Sequence, residues 1–277
     1  MSPGTKAPVK PGAILGILKE LRTSAEGDRP LAVTGARELV SVLTRELTRG
    51  GVASAVQAGK VEGAAALVHI LAGAPDEDDE GVLKEAAHAR IPIVVVTHGE
   101  PDPDAHIPYV LDGNVVRVGS AKSLPLEEIA ERLARSLGEA GTPLAARLPV
   151  LRHAVCGALI RKFSRQNTFI GLAFFLRRAD LPVLTLNQVR LVLRIADAYG
   201  FEIDKERAPE VLAVIVSGLG FRSLARRTVG VVPVIGWVLK GGYAYVGTRA
   251  LGEAAMRYFE RRAPVTRVAG DRTLFPR

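Results

Sequence analysis

The chain has 277 residues, 48% hydrophobic and 24% charged, with one cysteine and a mean hydropathy of +0.18. Such a composition excludes a wholly disordered chain, and the length suits one large domain or two ordinary ones. Cys156 stands alone, which rules out an intramolecular disulfide framework and a cysteine-cluster zinc site. The net charge of +8 is unevenly spread: residues 1–145 carry 15 Lys and Arg against 20 Asp and Glu, whereas residues 146–277 carry 22 against 9. Of those 22 cations 19 are arginine, so the pattern predicts two domains, the second facing phospholipid, nucleic acid or an acidic partner. An arginine-rich composition bias is the plain alternative.

Residues 1–29 read as an N-terminal arm, opening with the proline-rich MSPGTKAPVKPG. Lys6 and Lys10 precede a broken apolar run without the hydrophobic stretch or small-residue cleavage site of a signal peptide, so a cytoplasmic start is expected. Residues 30–140 then alternate short apolar runs with helical periods. LAVTG (31–35), VASAVQAG (52–59), AALVHILAG (65–73), IPIVVVT (91–97) and VVRV (115–118) are the expected strands. Between them, 36–49 places Leu39, Val40, Leu43 and Leu47 at helical spacing, and the acids at 76–80 open a helix whose positive dipole end they oppose. A further helix starts near Pro125 and stops at Gly138. This order predicts a mostly parallel sheet with ligands beyond its carboxyl ends, which directs attention to the loops after Thr34, Ala72, Thr97 and Val118.

The order of elements suggests a nucleotide-binding G domain, whose phosphate loop reads GxxxxGK[ST]. Here Gly35-Ala36-Arg37-Glu38-Leu39-Val40-Ser41 has valine for the second glycine and serine for the lysine. Ala72-Gly73-Ala74-Pro75 stands where a strand-end Asp would support Mg²⁺, and Thr97-His98-Gly99-Glu100 keeps only the acid of an N-K-x-D base-reading loop. Ser120-Ala121-Lys122 does match the S-A-K loop that contacts the base. The domain is therefore read as a degenerate, P-loop-like α/β domain, a pseudo-GTPase. Gly35, Thr97, Glu100, Ser120, Ala121 and Lys122 form its vestigial nucleotide site. No cofactor and no catalytic residue is expected; GTP or GDP is the alternative cofactor. His98, Asp102, Asp104 and His106 lie in a proline-rich loop without the regularity of a metal site.

From about 144 the strand signal fades, and helices are expected at 144–165, 168–178, 185–199, 207–219 and 232–262, within a helical domain at 147–262. Gly200 closes the third, and 263–277 reads as a basic tail. VGVVPVIGWVLKGGYAYVGT (229–248) has the length to span a bilayer, with Lys240 as its one charge. Gly236, Ala244, Thr248 and Gly252 form a small-residue row at i+4 spacing, interrupted by Lys240. A buried bundle helix, a membrane-dipping hairpin and a spanning helix stay open. Arg226, Arg227, Trp237, Lys240 and Arg249 are the candidate membrane or partner contacts.

Leu186-Asn187-Gln188, Ala198-Tyr199-Gly200, the P-V-x-G-W turn at 233–237 and TRALGEAAMRYFE at 248–260 occur in series. In these features residues 150–262 resemble the GTPase-associated helical domain of YcjF-type proteins. The resemblance implies a helical domain linked to GTPases and membranes, and supplies no catalytic residue. A non-enzymatic scaffold or adaptor at the inner face of the cell membrane is thus expected, with a membrane surface, membrane protein or GTPase neighbour as partner and oligomers allowed. A nucleotide-binding switch with a non-standard phosphate site is one alternative. Nucleic-acid binding by the basic half is another, weakened by the lack of a recognised motif.

Overall fold

The computed structural model describes residues 29–98, 107–119, 124–177, 181–201 and 236–263, together with positions 16 and 19; at 171–177, 181–182 and 236–243 the backbone alone is described. The chain divides into two compact units, and the divide in the continuous part falls between Ala158 and Leu159.

The first unit is built on five strands: β1 (Leu31–Gly35), β2 (Val56–Ala58), β3 (Ala66–Leu71), β4 (Ile93–His98) and β5 (Val115–Val118). All adjacent pairs are parallel, in the order β2-β1-β3-β4-β5. Every residue of β3 is buried, as are the first four of β1 and of β4. That burial explains the continuous apolar runs, because helices on both faces of a parallel sheet leave neither face for water. The helices are α1 (Arg37–Leu47), α2 (Glu77–His88), α3 (Leu126–Leu137) and the short α4 (Thr142–Arg147). Ala32, Leu67, Leu71, Ile93 and Val95 pack with Leu83 and Ala86 of α2 on one side of the sheet. Asp76 starts α2 with a capping box: its carboxylate accepts from the Asp79 N–H, and the Asp79 carboxylate accepts from the Asp76 N–H. The expected strand at 52–59 shortens to β2, because the Val52 N–H bonds the Arg147 carbonyl at 2.9 Å and a 3-10 turn occupies Ala53–Ala55.

Described helices of the second unit are α5 (Arg152–Arg177), whose opening residues belong to the first, α6 (Leu181–Ala198) and α7 (Gly236–Glu260). Two expectations are corrected. The helix expected at 144–165 breaks at Leu148, whose backbone is extended (φ −118°, ψ 93°) because Pro149 follows it. The break expected at 166–167 is absent, and α5 runs straight through it. Polar residues there blur the apolar period, yet two of them have a tertiary or local use. The Thr168 hydroxyl donates back to the Ser164 carbonyl at 2.9 Å, and buried Asn167 binds the neighbouring helices. Leu191 of α6 and Ile160 of α5 crowd Gly252 of α7 so closely that a Cβ there would lie 2.6 Å from Ile160 Cγ1. One turn away on α6 and α7, and two on α5, Asn167 donates to Thr248 Oγ1 at 2.8 Å and accepts from Asn187 Nδ2 at 2.9 Å, tying the same three helices. Phe201 and Phe259 meet at 5.2 Å and close the other end. The helices expected at 207–219 and the first residues of 232–262 lie outside the described residues. Among the described residues, no helix is long and apolar enough to cross a membrane.

Candidate functional site

In an open parallel sheet the crevice for a ligand forms where successive connections leave in opposite directions. With this strand order the switch lies between β1 and β3, the position that the flavodoxin-like order uses. A cavity of about 450 Å³ opens there, lined by Gly35, Ala36, Arg37, His69, Ile70, Ala72, Asp76, Asp78, Asp79 and Val82.

Gly35 decides the shape of its floor. Its φ is +101°, and a Cβ would fall 2.0 Å from the Ile70 carbonyl oxygen. The next N–H, from Ala36, donates to that same carbonyl at 2.9 Å. The turn leaving β1 therefore presses onto β3, and this N–H is committed within the protein instead of facing a phosphate. Ala36 then starts α1 with no side-chain cap, and Arg37 and Glu38 are exposed.

His69 and Thr34 sit side by side in the β1–β3 register, on the face that carries α2. Thr34 Oγ1 lies 2.7 Å from His69 Nδ1, and His69 Nε2 lies 2.9 Å from Asp79 Oδ1. The carboxylate fixes the tautomer: Nε2–H donates to Asp79, which leaves Nδ1 to accept the Thr34 hydroxyl proton. Burial lowers the His69 pKa below its ordinary 6.5, even though Asp79, through charge and hydrogen bond, and Asp76 pull the other way. The ring is therefore neutral at pH 7, and its contact with Asp79 is a hydrogen bond rather than an ion pair.

Hydroxyl, imidazole and carboxylate occur here in the order of a nucleophilic triad. Thr34, however, is 5% exposed and does not line the cavity, so its oxygen cannot meet a substrate carbonyl. The chain of bonds instead anchors the start of α2 to the sheet. Linkage gives a test. Below pH 6.5 the unfolded chain takes up a proton that folded His69 refuses, so stability is full above 6.5 and declines as pH falls from there towards the lowered folded pKa. In urea titrations between pH 7 and 5, His69→Gln is expected to remove that part of the decline; an unchanged slope would show that His69 is not its source.

Three carboxylates, from Asp76, Asp78 and Asp79, face a single guanidinium, Arg37, around the cavity. That balance opposes a polyphosphate. The sequence marks these acids only as dipole partners of α2, and the capping box shows they fill that role. The second role of Asp79 has a signal in the sequence too: His69 is the one polar residue in a fully buried strand, and such a group requires a partner.

Of the sequence-derived site residues, Gly35 lines the cavity, while Thr97 lies half-buried on β4 beside Leu71 and Arg117 and does not. Glu100, Ser120, Ala121 and Lys122 lie outside the described residues, as do Arg226 and Arg227, and as do Asp102, Asp104 and His106. Trp237 and Lys240 fall on the α7 backbone. Arg249 is exposed on α7 and pairs with Glu253 at 2.8 Å, which raises its pKa through that hydrogen bond and one to Tyr245. Among the described residues no group of three or more His, Cys, Asp or Glu could hold a metal ion. Neither a family model, nor a curated protein, nor a solved structure matches this chain.

Proposed function

We propose that this protein is a non-enzymatic adaptor: a pseudo-GTPase head joined to a helical unit that works at the inner membrane face, against a membrane surface or a GTPase partner. The turn at Gly35 supports the non-enzymatic part of the reading. Where a phosphate loop would wrap its ligand, Gly35 packs on Ile70 and the Ala36 N–H is spent on the Ile70 carbonyl. The absence of GK[ST] at 40–42 and the three aspartates around the cavity support the same view. Phosphoryl transfer depends on positioning and charge stabilisation, and this rim offers the wrong charge. The arginine excess after residue 146 favours an anionic surface, at about 1 kcal/mol per cation close to the lipid.

The reading is tested by thermal unfolding with Mg²⁺ and GTP or GDP. A nucleotide present at a hundred times its Kd would stabilise the fold by about 2.7 kcal/mol, a shift of several degrees. The expected melting curve is unmoved by millimolar nucleotide. A saturable shift, or GTP turnover lost in Lys122→Ala, would overturn the adaptor and establish a nucleotide-dependent switch.

A further inference from the structure

Gly16 and Lys19 are both helical and both exposed, and they belong to the compact unit of α5, α6 and α7, not to the sheet unit that starts at Gly27. The stretch around them, AILGILKELR (13–22), follows Pro11-Gly12 and precedes a link, 23–28, without a large apolar side chain. A helix this short is marginal in water by itself, and a glycine inside it weakens it further. Helical backbone at Gly16 therefore needs a surface that holds it.

At about 100° per residue, Ile14, Ile17, Leu18 and Leu21 fall within one arc of about 100°, with Leu15 at its margin. Gly16 and Lys19 lie on the opposite side, each about 150° from the centre of that arc. Their exposure is what the pattern demands when the apolar arc is turned into the unit. A Cβ added at Gly16 would meet nothing within 4 Å, in agreement with a solvent-facing position. The sheet unit has its own anchor nearby, since Arg29 donates to the carbonyls of Gly63 and Ala64. Residues 23–28 can extend up to about 20 Å between the two.

We infer that residues 13–22 form an amphipathic helix whose apolar face, Ile14, Ile17, Leu18 and Leu21, docks on the helical unit of the same chain. The helical unit is then discontinuous in sequence, with the sheet inserted between its first helix and α5. Membership of Gly16 and Lys19 in that unit selects the occupant. A segment reserved for lipid would have no packing in the free chain and, at this length, no stable helix. Docking also has a functional side. An apolar arc flanked by Lys19 and Arg22 resembles a lipid anchor, and on the helical unit it is withheld from the bilayer.

The test is hydrogen exchange of the full chain, read peptide by peptide by mass spectrometry. Expected is exchange over 13–22 at least about tenfold slower than in an isolated peptide of the same residues. Gly16→Ala puts a better helix former on the solvent side and should slow it about fivefold more. Leu18→Ser should speed it about tenfold or more and speed exchange in the helical unit too, with β1, β3 and β4 unchanged. Unchanged strands also show that this variant folds. Fast exchange over 13–22 in the unmodified chain, or no response to Gly16→Ala, would overturn the docked helix. If Leu18→Ser loosens the strands, or 13–22 alone, the helical unit is not the surface and the proposal falls. Protection seen only with phosphatidylglycerol vesicles would give the face to lipid, and protection that grows with protein concentration would give it to a second copy. Either result overturns the proposal.

Discussion

Replacing Gly35 by alanine is expected to destabilise the sheet unit by about 3–5 kcal/mol, a large share of the roughly 5–15 kcal/mol that typically separates folded from unfolded chains. Two costs combine. A side chain at φ +101° pays about 1–3 kcal/mol of backbone strain. Its Cβ would also lie 2.0 Å from the Ile70 oxygen, so the strand pair must part and weaken the Ala36 to Ile70 hydrogen bond. Gly59 separates the two costs, because it also has a positive φ, +78°, but a Cβ added there would meet nothing within 4 Å. Gly59→Ala should therefore cost only the strain, about 1 kcal/mol. Urea unfolding of both variants, followed by circular dichroism, measures the difference. Equal losses would mean that β1 and β3 do not approach as closely as described. The comparison also bears on function, since a glycine kept for a phosphate would affect ligand binding more than folding.

The second large effect belongs to the polar layer of the helical unit. Asn167→Leu is expected to cost about 2–4 kcal/mol, because it removes the acceptor of Asn187 Nδ2 and a donor to Thr248 Oγ1 at once. Gln188 Nε2 remains 3.4 Å from Thr248 Oγ1, too long to replace a 2.8 Å bond in full. Asn187 is only half-buried, so its freed amide can recover some hydration, and the lower half of the range is the better expectation. Adding Asn187→Leu and Thr248→Val should restore much of the loss, since replacing every partner by apolar groups of similar shape leaves fewer buried groups unsatisfied. Non-additivity across these variants is the signature of one network; simple additivity would show that the three side chains act separately. Gly252, packed against Ile160 and Leu191, independently fixes how α7 sits on its neighbours, so the triple variant should keep the same helix register.

The local parts of this protein are readable from residues near one another in the chain. IPIVVVT and VVRV mark β4 and β5 because a parallel strand buried on both faces must be apolar throughout. Asp76 and Gly138 mark helix ends because a cap or a left-handed turn is satisfied by neighbours a few residues away. The small residue at 252 and the L-N-Q stretch at 186–188 also stand out, although only as isolated features. Tertiary structure decides what such features touch. Asp79 is ten residues from His69 and Asn167 is 81 from Thr248, and no periodicity encodes those distances. The unbroken course of α5 through Asn167 belongs to the same class: a polar residue in mid-helix reads as an interruption until partners on two other helices satisfy it. The order of the strands is equally beyond local reading, although the loops after Thr34 and Ala72, which the alternation of elements singles out, do supply Gly35, Ala36 and Ala72 to the cavity. Hydrophobic pattern dictates which faces are buried, whereas strand order and buried hydrogen bonds are fixed by packing between segments distant in the chain.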